Sequence, residues 1–257
     1  MRLSACLEML FVPESADFLP RIALAHEAGF RHFEFWRWTN KSIEGIEAML
    51  ESTGMSVAGL LAEPTIPLTD RDNHERFLAG LDQGIAIASR LGAPMLIAQA
   101  GNGLEGESRE AQADALVDCL RAAADRLAGT GIVLALEPLN TRLDHPGHFL
   151  FSTTEGLDLV DRVGRPEIRL LYDIYHSAMM GERMEEVLAG RIDRIAHVHL
   201  ADAPGRHEPG SGEIDWRAAL AFLDSAGYGG LVGLEYRPTG STIESLRPFL
   251  PTPAPAA

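Results

Sequence analysis

The chain has 257 residues, 46% hydrophobic and 23% charged, a balance that excludes a disordered or collagen-like polymer and is ample for a sizeable core. Its formal net charge of −15 repels phosphate backbones and anionic lipid, so neither nucleic acid nor a membrane surface is an expected partner. An anionic small-molecule substrate would need a local positive feature inside the site, such as a metal ion or an arginine.

In chain order, short apolar runs recur, each followed by a longer segment with helical spacing. The first run, RLSACLEM from Arg2, carries Cys6; the other cysteine, Cys119, lies in a helical pattern, and both read as buried thiols rather than parts of a disulfide or zinc framework. MRLSACLEML lacks the features of a secretory signal, and no run approaches about 18 apolar residues, so the protein is expected in the cytoplasm. HFEFW from His32, SVAGLLAE from Ser56 and MLIAQAG from Met95 follow. IVLALEPL from Ile132, IRLLYDIYH from Ile168, IAHVHLAD from Ile195 and LVGLEYRP from Leu231 complete eight runs.

The cores of these runs are nearly continuously apolar, as in strands buried on both faces of a parallel sheet. Helical patterns such as SIEGIEAMLESTG and HERFLAGLDQGIAIASRLG end in glycine just before the next run, a C-terminal stop. Eight strand-helix alternations at about 32 residues each predict a (β/α)8 TIM barrel. A doubly wound open sheet would carry a glycine-rich turn after its first strand; here that strand leads into MLFVPESADF, and no GxGxxG or P-loop follows. One barrel domain over residues 1–250 is expected, with PTPAPAA (251–257) as a disordered tail.

Barrel enzymes place their active sites at the C-terminal ends of the strands. Late in the last four runs stand Glu137, Asp173, His199 and Glu235, each embedded among Leu, Ile, Val and Ala, where an unpaired charge would cost several kcal/mol. One such acid alone would read equally well as a structural ion pair. Three converging carboxylates would repel one another unless a divalent ion joined them, so a metal site is expected. Oxygen ligands with one nitrogen and no thiolate suit Mn2+, Mg2+ or Co2+. Such an ion would act as a Lewis acid on an α-hydroxycarbonyl substrate, stabilising an enediolate while Glu137 and Glu235 exchange the proton between adjacent carbons.

The stretches LALEPLN, LLYDIYH with its Asp-x-x-His pattern, HVHLADAPGRHEPGSGEIDW and GLEYRPTG resemble the xylose isomerase-like TIM-barrel superfamily. Within it the chain is most similar to the hydroxypyruvate isomerase family, which includes 2-oxo-tetronate isomerases. The resemblance spans Met1 to Leu250, with a looser match in the early strands. It implies Glu137, Asp173, His199 and Glu235 as metal ligands and Glu137 and Glu235 as the catalytic proton carriers. It also implies substrate contacts from His176 and from Arg206, whose guanidinium suits a carboxylate. Some hydroxypyruvate isomerases carry glutamine at the position of His199, whereas the related ketose 3-epimerases carry histidine; FEFWRWTNK is a further departure. The resemblance further implies a homo-oligomer.

Gln99 is expected to contact substrate. Glu34 either reaches the site or is structural, and Trp36 and Trp38 either wall a sugar pocket or pack in the core. His197, two residues before His199, points to the same side one layer lower and reads as a satisfied core histidine. Asp144 and His145 border the pocket or lie outside it; His207 and Glu208 form a solvated turn, a lid or a subunit contact. The expected function is a metal-dependent isomerase of a small hydroxy-keto acid, such as hydroxypyruvate, with a ketose 3-epimerase as the alternative. An endonuclease IV-type phosphodiesterase would need more late-strand histidines, and a non-catalytic sugar-binding barrel would not depend on Glu137 and Glu235.

Overall fold

In the computed structural model, which describes residues 1–249, eight parallel strands close into one barrel in sequence order. They are β1 (Arg2–Cys6), β2 (His32–Glu34), β3 (Ser56–Leu61), β4 (Met95–Gln99), β5 (Val133–Glu137), β6 (Ile168–Asp173), β7 (Ile195–Leu200) and β8 (Leu231–Leu234). β1 pairs with β8, and this closes the ring. The (β/α)8 expectation is met; the tail 251–257 lies outside the described residues.

The connecting helices are α1 (Phe18–Glu27), α2 (Ile43–Thr53), α3 (His74–Leu91), α4 (Arg109–Leu127) and α5 (Thr153–Val163), then α6 (Ile174–Met180), α7 (Met184–Val187), α8 (Trp216–Ser225) and α9 (Thr242–Ser245). Side chains of Ser42, Ser108 and Ser152 cap α2, α4 and α5 by accepting a backbone N–H three residues on. Gly54 and Gly92 end α2 and α3 in the left-handed conformation, with φ of 67° and 63°. Among the described residues, no helix is long and apolar enough to cross a membrane.

Most of the core lies between strands and helices, where residues such as Leu60, Leu96, Leu134 and Val198 are fully excluded from solvent. Inside the barrel the filling is split by polarity. Leu61, Met95, Ile97, Ala135 and Leu171 form a separate apolar cluster on one side. Ser4, Glu34, His197 and His199, all buried, fill the other. Burying ionisable groups this deeply is costly unless each finds a partner, so the polar half marks where fold stability gives way to another demand.

The runs read from sequence overshoot the strands at their C-terminal ends. β2 stops at Glu34, so Phe35 and Trp36 lie past it, and β3 stops at Leu61. Parallel pairing slips by one residue between β2 and β3 after Phe33. The apolar character continues because Phe35 packs against Phe18 and Phe33 in the strand–helix core while Trp36 borders the barrel cavity, a burial that composition cannot distinguish from strand.

Candidate active site

Adjacent strands deliver the four late-strand residues to one point. Asp173 lies opposite His199 in the β6–β7 register, and Glu137 lies opposite Gln99 between β4 and β5. Glu235 is the first residue past β8, its N–H bonded to the carbonyl of Leu200. Ligand atoms of Glu137, Asp173, His199 and Glu235 all lie within 4.8 Å of one another, and all four residues are buried. Glu137, His199 and Glu235 line a cavity of about 210 Å³ together with Gln99, His145, His176 and Arg206, and Asp173 lies behind them.

Local structure explains how each group is aimed. Asp173 ends β6 and caps α6, its Oδ1 accepting N–H bonds from Tyr175 at 2.7 Å and His176 at 3.1 Å. That leaves Oδ2 turned to the cluster, 3.6 Å from His176 Nε2. His176 Nδ1 faces donors from Asn140, the backbone N–H at 3.3 Å and the side-chain amide at 2.7 Å. A ring nitrogen that accepts leaves the proton on the other, so Nε2, buried and without a hydrogen-bond partner, is a donor directed into the cavity. Burial, with Arg206 adding to it, pushes the His176 pKa down to about 4, so the ring is neutral near pH 7.

Both oxygens of the Glu235 carboxylate are engaged. Its Oε1 accepts from Trp36 Nε1 at 2.8 Å, and its Oε2 lies 3.2 Å from His199 Nδ1 and pairs with Arg206 Nη2. Burial would raise its pKa, but His199 and Arg206 outweigh that and hold it well below the usual range. Asp173 moves the other way, raised chiefly by burial. Burial alone would lower the pKa of His199, yet Glu235 and Glu34 hold it well above 6.5.

Arg206 sits in the left-handed region at φ 56°, in a loop organised by Asp202. Asp202 is fully buried; its carboxylate accepts N–H bonds from Ala203 and Ile214 at 2.9 Å and from Gly210 at 2.7 Å. A side chain at Gly212 would come within 2.3 Å of the Ala203 carbonyl and 2.7 Å of Asp202, so the loop closes only around glycine there. Arg206 then reaches both Glu235 and Asp173, the latter at 3.5 Å, and lies over the Tyr175 ring.

The donor set fits a divalent ion. His199 Nδ1, although buried, makes no aligned hydrogen bond, and an oxygen from each of three buried carboxylates lies close to it. Imidazole nitrogen with carboxylate oxygen suits Mn2+, Mg2+ or Co2+, and an ion would relieve repulsion that one arginine only partly offsets.

Gln99, His145 and Trp36 border the cavity, as the sequence allowed; Trp38 does not, and its backbone N–H is instead held by Glu63 Oε2 at 2.9 Å. His207 and Glu208 are likewise outside it, bonded to the Arg237 carbonyl and to Thr239. Asp144 accepts from Tyr175 Oη and Asn140 Nδ2, both at 2.7 Å, behind the wall that His145 and His176 form. Arg37 and Thr65, in loops after β2 and β3, line the cavity without having been singled out, since nothing in loop composition marks which residue turns inward. Glu34 is resolved as a partner of both strand-β7 histidines, with Nε2 of His197 and of His199 each 2.9 Å from one of its oxygens.

A closed eight-stranded barrel with a cluster of carboxylates and an imidazole at the C-terminal ends of its strands defines an enzyme of the TIM-barrel class. The sequence profile described as xylose isomerase-like TIM barrel matches residues 22–252, and the chain belongs to that family. It is 34% identical to hydroxypyruvate isomerase of Escherichia coli K12, covering 96% of this chain and 97% of that one. It is 29% identical to 2-oxo-tetronate isomerase of Pectobacterium atrosepticum, covering 95% of each. A solved structure of an AP endonuclease, family 2, from Brucella melitensis superposes with a TM-score of 0.91 at 32% identity, covering 96% of this chain and 97% of that chain.

Proposed function

We propose that the protein is a metal-dependent isomerase of small α-hydroxycarbonyl acids, hydroxypyruvate or a 2-oxo-tetronate, with Glu137 and Glu235 as its proton-transfer pair. The observation that carries this reading is the convergence of Glu137, Asp173, Glu235 and an unpartnered His199 Nδ1 on one buried point beside a small cavity. These four residues would hold the ion. Bound there, a divalent ion supplies Lewis-acid stabilisation of negative charge on the substrate's neighbouring oxygens.

The side chains supply the rest. One of Glu137 and Glu235 takes the proton from the hydroxyl-bearing carbon as the C–H pair moves into the carbon-carbon bond. The other delivers a proton to the former carbonyl carbon, and a proton passes from the first oxygen to the second. In this reading His176 Nε2 donates to a substrate oxygen and Gln99 contacts a hydroxyl, as both side chains line the cavity. Arg206 and Arg37 give the cavity positive charge for a carboxylate, Arg206 with its guanidinium beside Glu235 and Asp173.

The test is a substrate panel with the purified chain and added Mn2+: hydroxypyruvate, tartronate semialdehyde, a 2-oxo-tetronate, and neutral ketoses. Turnover of the acids that is lost on Glu137→Gln or Glu235→Gln supports the reading. Turnover of neutral ketoses alone transfers it to a 3-epimerase, in which the same carboxylates return the proton to the carbon it left; His199 favours that second reading.

A further inference from the structure

β2 contributes none of the four residues of the cluster, yet its last residue lies against one of them. Glu34 is buried in the polar half of the barrel, and its carboxylate is divided unequally. Oε2 accepts from Ser4 Oγ at 2.6 Å and from His197 Nε2 at 2.9 Å, while Oε1 faces His199 Nε2 at 2.9 Å. The space is shaped for this group: a Cβ at Gly233, opposite His199 in the β7–β8 register, would come within 2.3 Å of Glu34 Oε1 and 2.8 Å of His197 Nε2.

We infer that Glu34 is a positioning residue that sets the tautomer of His199. The carboxylate oxygen 2.9 Å from Nε2 is nearer than any acid is to Nδ1 and draws the single proton of the neutral ring to Nε2. In the neutral ring this leaves the lone pair on Nδ1, which points at Glu137 and Glu235 from 3.5 and 3.2 Å. The opposite tautomer would direct an N–H into the carboxylate cluster and present no ligand. His197 holds the second face of Glu34 and Ser4 closes the third contact, so the carboxylate cannot rotate away without leaving buried donors unpaired. This rests on the proposed ligand set; without an ion the tautomer is defined only above the raised pKa of His199, where the ring is neutral.

Glu34→Gln separates the two. The amide oxygen is drawn to the side where Ser4 and His197 both donate, and this turns the amide N–H toward His199 Nε2 and forces the ring proton onto Nδ1. Long-range 1H–15N spectra of the metal-free chain, recorded at a pH where the ring is neutral, should place the His199 proton on Nε2 in the parent and on Nδ1 in Glu34→Gln. Calorimetry with Mn2+ alone should show affinity falling about 10- to 100-fold while the metal-free melting temperature moves by only a few degrees. An unchanged tautomer, or Mn2+ affinity within twofold of the parent, overturns the role of Glu34. A parent that binds no Mn2+ but shows the tautomer exchange overturns the ligand set and leaves the positioning role standing. If Glu34→Gln does not fold, Ser4→Ala removes one of the three contacts; Mn2+ affinity about two- to fivefold weaker supports the role, and unchanged affinity overturns it.

Discussion

Trp36 Nε1 donates a 2.8 Å hydrogen bond to Glu235 Oε1, joining residues 199 positions apart across the barrel mouth. The indole is held from behind, since its own backbone N–H lies 3.3 Å from Glu8 Oε1, and Glu8 pairs with Lys41 at 2.7 Å. Trp36→Phe keeps an aromatic wall but removes the donor together with the pyrrole ring that carries it. Losing one hydrogen bond to a buried charge predicts a kcat about 10- to 100-fold lower with an unchanged circular dichroism spectrum. An unchanged kcat would show that Glu235 needs no help from the indole.

Metal removal is the direct test of the carboxylate cluster. Chelation should abolish turnover and Mn2+ should restore it. In the absence of substrate, Mn2+ at about 100 times its dissociation constant should add about 2.7 kcal/mol of stability, a rise of roughly 5 °C in melting temperature. Asp173→Asn should lose that rise, as read by calorimetry on the same preparations.

Asp202 holds the Arg206 loop through three backbone N–H groups, and Asp202→Ala leaves all three without an acceptor. Each buried donor so orphaned costs about 1–3 kcal/mol, so a net loss of about 3 kcal/mol in chemical denaturation is expected. Because Arg206 rides on this loop, the KM for an anionic substrate should rise more than that for a neutral one. Equal changes in both would separate the loop from recognition of charge.

His148 makes stability fall on the acid side. Burial, then the neighbouring His145 and His176, push its pKa from 6.5 to about 4, so the fold holds it neutral while the unfolded chain takes up a proton first. The stability is therefore complete above about pH 6.5 and is lost as pH falls toward 4. A shift of this size corresponds to about 3 kcal/mol. In urea titrations at pH 7 and pH 4.5, His148→Phe should lose much less stability between the two than the parent does.

The barrel was legible because parallel strands buried on both faces must be apolar throughout, and the helices between them carry their own spacing and stops. Glu137, Asp173, His199 and Glu235 stood out for the same reason in reverse: a charge inside such a run demands a partner. His176 and Arg206 came from resemblance. The loop residues Arg37 and Thr65 carried no signal, because an arginine or threonine in a polar loop looks the same whether it faces solvent or the cavity.

Sequence by itself therefore determined the alternation of strands and helices and the positions at which buried charge breaks the apolar pattern. Only the tertiary structure decided which partners those charges have. Closing β8 onto β1 sets the barrel's inner space, and that space places Glu34 between two histidines more than 160 residues away and Trp36 against Glu235. Such pairings depend on distances across the barrel, which periodicity along a single strand does not contain.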